Sequence, residues 1–355
     1  ERGKLVREIA CGEPIFSTPV VAGGRVYFAT LGSQVYALTS DGQTCWTWDY
    51  VKQRLGFTGD RWSGEAWCKQ KGGRATWRDQ FCCSRDIAIY GKTLVIPAGG
   101  ETIWLEDGGQ QPVFVGSGQV ANVKGNESPA TFGISIDETG AVYRQWHRRD
   151  NSGRVEILRY QDGKFTADYV HGTMVRNDLP GLIGVSSVSL RGQDVFRCRP
   201  EEGFGFCKHL PGQEEPQRLA DYASIASPIL LRDVGVYGGL DGKLHLVPLS
   251  GNGPAWSFAT AFGKAISAPV AVCDGRIYVG CEDGYLYVLG PDGKAPLPTD
   301  DLGLTKIRSP LRGKLAEAQY DWFTNYGNFQ NTNANDQEIR LPLRLNWVRR
   351  YEGTF

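Results

Sequence analysis

The sequence predicts an all-β fold, a β-propeller of four-stranded antiparallel blades, and three observations carry that prediction. A Ser-x-Pro start followed by an apolar strand and a glycine turn recurs along the chain. The best recurrences are evenly spaced, with 41 residues from Pro228 to Pro269 and another 41 from Pro269 to Pro310. The composition, 46 Gly and 10 Trp with a single Met in 355 residues, suits short strands joined by tight turns.

The elements follow in order. Ser17-Thr18-Pro19-Val20-Val21-Ala22-Gly23-Gly24-Arg25-Val26-Tyr27-Phe28 opens the first unit. Gln34-Val35-Tyr36-Ala37-Leu38 continues it, and Trp46-Thr47-Trp48 supplies a fourth strand. The motif returns at Ala226-Ser227-Pro228 and at Ser267-Ala268-Pro269, with matching strands at Lys243–Leu249 and Tyr285–Leu289. Period-two alternation of aromatic and β-branched residues, bounded by Asp-Gly, is hairpin chemistry. Less regular starts fit near Ser84, Ser128-Pro129 and Gly184–Ser187, so seven blades are expected, with six or eight left open. The whole chain, 1–355, reads as one propeller domain with a long inter-strand insertion at 51–81 and an irregular closing segment at 299–355. Either Lys4–Ile9 or Leu343–Tyr351 can complete the last blade, and the N-terminal strand is favoured.

Composition also excludes function classes. Lys+Arg and Asp+Glu are 39 each, so the chain lacks the one-signed field that nucleic-acid binding needs. No apolar run approaches the length of a membrane span. The chain begins at Glu1 rather than Met, as a processed product or a trimmed chain would.

Nine cysteines lie at 11, 45, 68, 82, 83, 198, 207, 273 and 281, without a CxxC or other metal spacing. Cys198 and Cys207 flank a hairpin loop, so they are expected to be able to face each other. Cys273 and Cys281 sit at opposite ends of one strand, roughly 15 Å or more apart at ~3.3 Å per residue, and are not expected to pair. The count favours an oxidising compartment, periplasmic or extracellular; buried thiols packed as small hydrophobes are the alternative.

The unit Ser-x-Pro-Val-x-x-x-Gly-x-Val-Tyr-Phe, with its later Val-Tyr-Ala-Leu, Asp-Gly and Trp, resembles the repeat of the quinoprotein, or PQQ-like, propeller superfamily. The match is good over 15–50 and 220–295, and weak from 84 to 210. Asp321–Thr332 followed by Pro342–Trp347 resembles the segment with which such propellers usually begin, displaced here to the C-terminus. The superfamily holds quinoprotein alcohol dehydrogenases and non-catalytic propellers such as periplasmic lipoproteins of outer-membrane assembly machinery. The dehydrogenase branch implies PQQ and calcium, with the adjacent Cys82 and Cys83 joined in a vicinal disulfide against the quinone ring. That branch also covers the quinone with a tryptophan, and Trp62, Trp67 and Trp77 lie nearby without any being assigned the role. Its calcium-anchoring and aspartate-base loops have no counterpart located in this chain. The plainer reading joins Cys82 and Cys83 separately to cysteines such as Cys68 or Cys45, stapling the insertion.

The insertion is rich in tryptophan and arginine, the composition of an interface hot spot. Arg61, Trp62, Trp67, Arg74 and Trp77 are therefore the expected partner-binding residues. A packed cover over the groove between the first two blades is the alternative. His147, His171, His209 and His245 are dispersed and read as structural or surface histidines. Asp137-Glu138 with Asp150, and Asp300-Asp301 near Asp274, read as solvated turns before calcium loops. Arg144, His147, Arg148 and Arg149 beside Trp146 read as a solvated basic face. Asn126-Glu127-Ser128 is a formal glycosylation sequon made less usable by Pro129. The expected function is a non-catalytic extracytoplasmic propeller that binds protein subunits, with no metal site; the alternative is a quinoprotein dehydrogenase or a degenerate relative.

Overall fold

A computed structural model describes residues 8–15, 17, 19–71, 81–83, 85–118, 130–147, 152–171, 173, 175–176, 187–199, 205–300 and 334–350. Among them are six antiparallel sheets, each built from consecutive strands. The first is β1 (Val20–Ala22), β2 (Arg25–Ala29), β3 (Gln34–Thr39) and β4 (Thr44–Asp49). Two short helices follow, α1 (Tyr50–Gln53) and α2 (Gly64–Lys71). The second sheet is β5 (Ala88–Tyr90), β6 (Thr93–Ala98), β7 (Glu101–Asp107) and β8 (Pro112–Gly118). The third has five strands, β9 (Ala130–Ile136), β10 (Val142–His147), β11 (Ser152–Gln161), β12 (Lys164–Tyr169) and β13 (Val175–Arg176). In it β12 and β13 both pair with the long β11.

The fourth sheet is β14 (Ser189–Arg191), β15 (Asp194–Cys198), β16 (Phe206–His209) and β17 (Gln217–Ala220). The fifth is β18 (Ile229–Leu230), β19 (Val234–Gly238), β20 (Lys243–Pro248) and β21 (Trp256–Ala259). The sixth is β22 (Ala271–Cys273), β23 (Arg276–Gly280), β24 (Tyr285–Gly290) and β25 (Arg344–Arg350). A run of four-stranded meanders is the blade pattern of the all-β propeller class. All six of these sheets begin at starts read from the sequence; the seventh, at Pro310, lies outside the described residues, so the blade count is six to seven.

The expected closing strand is corrected. Arg344–Arg350 completes the last sheet, pairing with β24 from Tyr285↔Arg350 to Gly290↔Arg344. That pairing occupies the edge of β24 expected for Lys4–Ile9, and residues 4–7 lie outside the described residues. The opening-like segment 321–332 lies outside the described residues.

The chain divides into two compact units. One is Val6–Gly181 with Phe329–Asn331, and it holds the first three sheets. The other comprises Glu1–Leu5, Leu182–Asn328 and Thr332–Phe355, and it holds the last three. Within each unit the core lies between neighbouring sheets, because alternation gives every inner strand two apolar faces to bury. Val20, Ala29, Val35 and Ala37 of the first sheet pack with Leu94, Ile96, Ile103 and Leu105 of the second. The opposite face of the second sheet, Val95 and Trp104, packs with Ile134, Val142 and Leu158 of the third. In the other unit Phe196 and Phe206 pack against Leu230 and Tyr237, and Leu244 and Leu246 against Ile277 and Tyr287.

Arginines at the first hairpin of a sheet tie it to the next. Arg25 on β2 reaches Asp107 at the end of β7 (2.7 Å). Arg191 on β14 donates through Nη2 to the carbonyls of Leu231 (2.9 Å) and Asn335 (3.3 Å) beside the fifth sheet.

Candidate functional site

The expected binding loop begins where Asp49 ends β4 and caps α1, accepting from the Lys52 amide at 3.1 Å. Arg61 is drawn inward by two carboxylates, with Nη2 2.5 Å from Asp49 and Nη1 3.4 Å from Glu13, and it donates to the Gly32 carbonyl at 2.9 Å. Trp67 on α2 is wholly buried, stacked on Phe57 at 3.7 Å, and its indole N–H donates to the Arg61 carbonyl at 2.7 Å. Trp62 stays 37% exposed with its ring edge-on to Phe81 at 5.6 Å. Arg74 and Trp77 lie outside the described residues. Trp67 is therefore a core residue rather than a partner contact, and Arg61 is an internal clamp; this half of the insertion is a packed cover.

All nine cysteines are thiols, so neither the vicinal bond nor the staple to Cys68 or Cys45 is formed. Cys198 and Cys207 do not face each other either. The register sets Cys198 opposite Phe206 and Cys207 opposite Arg197, which points the two side chains to opposite faces of the sheet. Cys83 is wholly buried among Phe57, Trp67, Phe81 and Ile87, and desolvation pushes its thiol strongly upward. Its amide donates to Leu31. A quinone would need an open face on this pair, and calcium would need converging acids. Cys83 has no open face, and among the described residues no three His, Cys, Asp or Glu converge as a metal-binding group. At Cys83 the described residues leave no face for a quinone, while Cys82 is half-buried.

A cleft of about 360 Å³ lies between the first two sheets, bounded by Gly23, Arg25 and Tyr27 on one side and by Gly91, Lys92, Asp107 and Gly109 on the other. Asp107 organises it. Its carboxylate accepts from Arg25 Nη1 at 2.7 and 2.8 Å, Tyr27 Oη at 2.5 Å, Trp46 Nε1 at 2.9 Å and the Gly109 amide at 2.9 Å. Burial works to raise its pKa, but the bonds from Tyr27, Trp46 and Gly109 and the Arg25 charge outweigh burial and hold it below the usual carboxyl value. Tyr27, desolvated and tied to that anion, is pushed far upward. No sequence motif marked this group. The one signal available was the Asp-Gly turn, which recurs in several units.

Next to the cleft runs β8, the outer strand of the second sheet. Three successive apolar residues lie exposed on it, Val113 (50% exposed), Phe114 (38%) and Val115 (36%). Val113 pairs with Glu106 and Phe114 with Leu105, so these two lie on opposite faces of the strand, and a bulge leaves Val115 unpaired between the Leu105↔Phe114 and Trp104↔Gly116 pairs. The exposed Arg54 guanidinium lies 5.2 Å above the Phe114 ring, and Trp48 stacks on that ring at 6.1 Å. Arg54 has no ion pair with a described residue.

Three other readings of the sequence meet the structure differently. Arg144 is not part of a solvated basic face. It is wholly buried opposite Glu156 in the register, 2.9 Å from its carboxylate, and donates to Thr102 Oγ1 at 3.1 Å. Asp137 is buried rather than solvated, and it closes its own turn by accepting from the amides of Thr139 (2.8 Å) and Ala141 (3.0 Å); Asp150 lies outside the described residues. His245 is a structural histidine, as expected, bridging Asp241 (3.0 Å) and Ser257 (2.8 Å) beneath the stacked ring of Tyr222. Burial lowers its pKa despite Asp241.

No model of a known protein family matches the chain, and no curated protein matches it. Among solved structures it is similar to BamB from Moraxella catarrhalis, 13% identical over 76% of this chain and 70% of that one, with a TM-score of 0.45. It is also similar to the quinohemoprotein alcohol dehydrogenase from Comamonas testosteroni, 15% identical over 79% of this chain, with a TM-score of 0.47. The chain spans 53% of that enzyme's length. The fold assignment stands on this chain's own strand pairing.

Proposed function

We propose that the protein is a protein-binding propeller, a subunit of a larger complex, and that its contact surface is the exposed half of β8 with Arg54. The observation that carries this reading is Val113-Phe114-Val115 on an outer strand, beside a cation with no acidic partner among the described residues. An outer strand offers unpaired backbone groups as well as side chains, which suits addition of an extended segment from a partner. The occupant is such a segment with an acidic residue to meet Arg54 and an apolar one to cover Phe114. The extracytoplasmic placement belongs to the same proposal and rests on the resemblance of the repeat; the nine thiols do not add to it. The quinoprotein alternative is not carried further, because Cys83 is sealed by its own core.

A photo-crosslinking residue at position 114, with one at Tyr222 as control, tests the surface in cells of the source. Crosslinks at 114 that map to an extended acidic segment, and that vanish with Arg54→Glu, are expected. Crosslinks no stronger than at Tyr222, or unaffected by Arg54→Glu, overturn the reading. Phe114→Glu is expected to lower partner recovery at least tenfold while leaving the thermal midpoint within a few degrees.

A further inference from the structure

The cleft between the first two sheets holds two cations with donors that the described residues leave unspent, and the geometry points to a carboxylate-binding site there. Arg25 spends a single nitrogen on the fold. Nη1 makes all of its bonds, to both oxygens of Asp107 and to the Gly109 carbonyl at 2.7 Å. Its Nε and Nη2 make no hydrogen bond with a described residue, and the side chain keeps 25% of its surface. That edge of a guanidinium is a planar two-donor fork, the shape that takes a carboxylate in bidentate fashion.

Lys92 is the second cation. It precedes β6 and continues the alternation of Leu94 and Ile96, both of which pack toward the first sheet. It lines the cleft, is exposed, and makes no ion pair with a described residue. Glu106 lines the cleft as well, but Leu105 packs toward the first sheet and Trp104 toward the third, so alternation sets its side chain on the opposite face of β7 from Asp107. Asp107 is neutralised by Arg25 at 2.7 Å, with Tyr27, Trp46 and Gly109 donating to the same carboxylate. What remains is one ammonium and one unspent guanidinium edge, in a space of about 360 Å³ bounded by the turns at Gly23, Gly91 and Gly109. A carboxylate placed there meets both. It can belong to a free small dicarboxylate or to an acidic side chain of a bound segment.

The test is a titration of ¹⁵N-labelled protein with succinate, and in a second arm with a capped hexapeptide of alternating valine and glutamate. Saturable shifts at the Gly91 and Gly109 amides and at Arg25 Nε are expected with at least one probe. Lys92→Glu, an exposed change that leaves the Asp107 cluster intact, is expected to weaken that binding by about tenfold or more, the scale of one lost charge contact. Arg25→Gln is expected to abolish it, and is read only if its amide spectrum shows an intact fold. A response to succinate identifies a small-molecule site, whereas a response to the peptide alone identifies a docking slot for an acidic side chain. No saturable shift with either probe, or equal affinity in Lys92→Glu, overturns the site. Neither result bears on β8, because Phe114→Glu leaves Arg25 and Lys92 unchanged.

Discussion

At the scale of single residues, two buried titratable groups make opposite demands on the chemistry around them. Asp107 is kept ionised by donors on two strands and its own turn, so its folded pKa lies below the usual 3.8. The unfolded chain then binds the proton more tightly, and the stability Asp107 contributes is complete above that value and lost as the pH falls through the folded pKa. Asp107→Asn is expected to cost ~2 kcal/mol at neutral pH, since it leaves Arg25 without its anion, and to flatten the acid limb of the stability profile in urea unfolding. His245 has a lowered pKa because it is desolvated, an effect that Asp241 only partly offsets. The sign is the same by a different route: its contribution is full above the usual 6.5 and fades as acidification charges a buried ring. His245→Gln is expected to remove the part of the urea midpoint's pH dependence that lies below pH 6.5, although Lys243 and Asp241 stay in place. Neither role was legible in the sequence. Asp107 sits 82 residues from Arg25, and nothing in either neighbourhood distinguishes this Asp-Gly turn from the others. Trp67 shows the converse error, since tryptophan beside arginine fits a hot spot and a core equally well until α2 turns the ring inward.

At the scale of elements, the decisive feature is how one strand's glycines admit another sheet's rings. A Cβ on Gly116 would lie 2.0 Å from the Tyr160 ring, and one on Gly118 would lie 2.0 Å from Phe165. Both glycines are on β8, and the rings come from β11 and β12. The rings are held by Trp104, at 5.8 and 6.1 Å between centroids, so they have little room to retreat. Gly116→Ala is expected to destabilise by ~1–3 kcal/mol through overpacking. In a Tyr160→Ala background the same change is expected to be nearly neutral, and a double-mutant cycle in urea measures that coupling. The same packing explains why β8 divides in two. Its C-terminal half is covered by the third sheet, whereas Val113, Phe114 and Val115 are left outside. Hairpin chemistry and period-two alternation were enough to place these strands, because both are local properties of the chain. Which face of an outer strand a neighbour covers is not local, and the exposed patch went unread for that reason.

At the scale of the molecule, the blade period and the chain's end have different origins. Removing residues 344–355 is expected to unpair β24, expose Tyr287 and Leu289 along a bare edge, and send the protein into aggregates on size-exclusion chromatography. Retention of a monomer with an unchanged unfolding midpoint would contradict the assignment of β25 as the outer strand. By itself the sequence determined the fold class and the starts of six sheets, because turn residues and alternation act over a few positions. Only the tertiary structure decided the rest: which strand completes the last sheet, that Trp67 and Cys83 are core, that Arg144 is a buried ion pair, and that Arg25 meets Asp107 across two sheets. Those outcomes depend on burial and on charges brought together from distant positions, and a linear pattern holds no record of either.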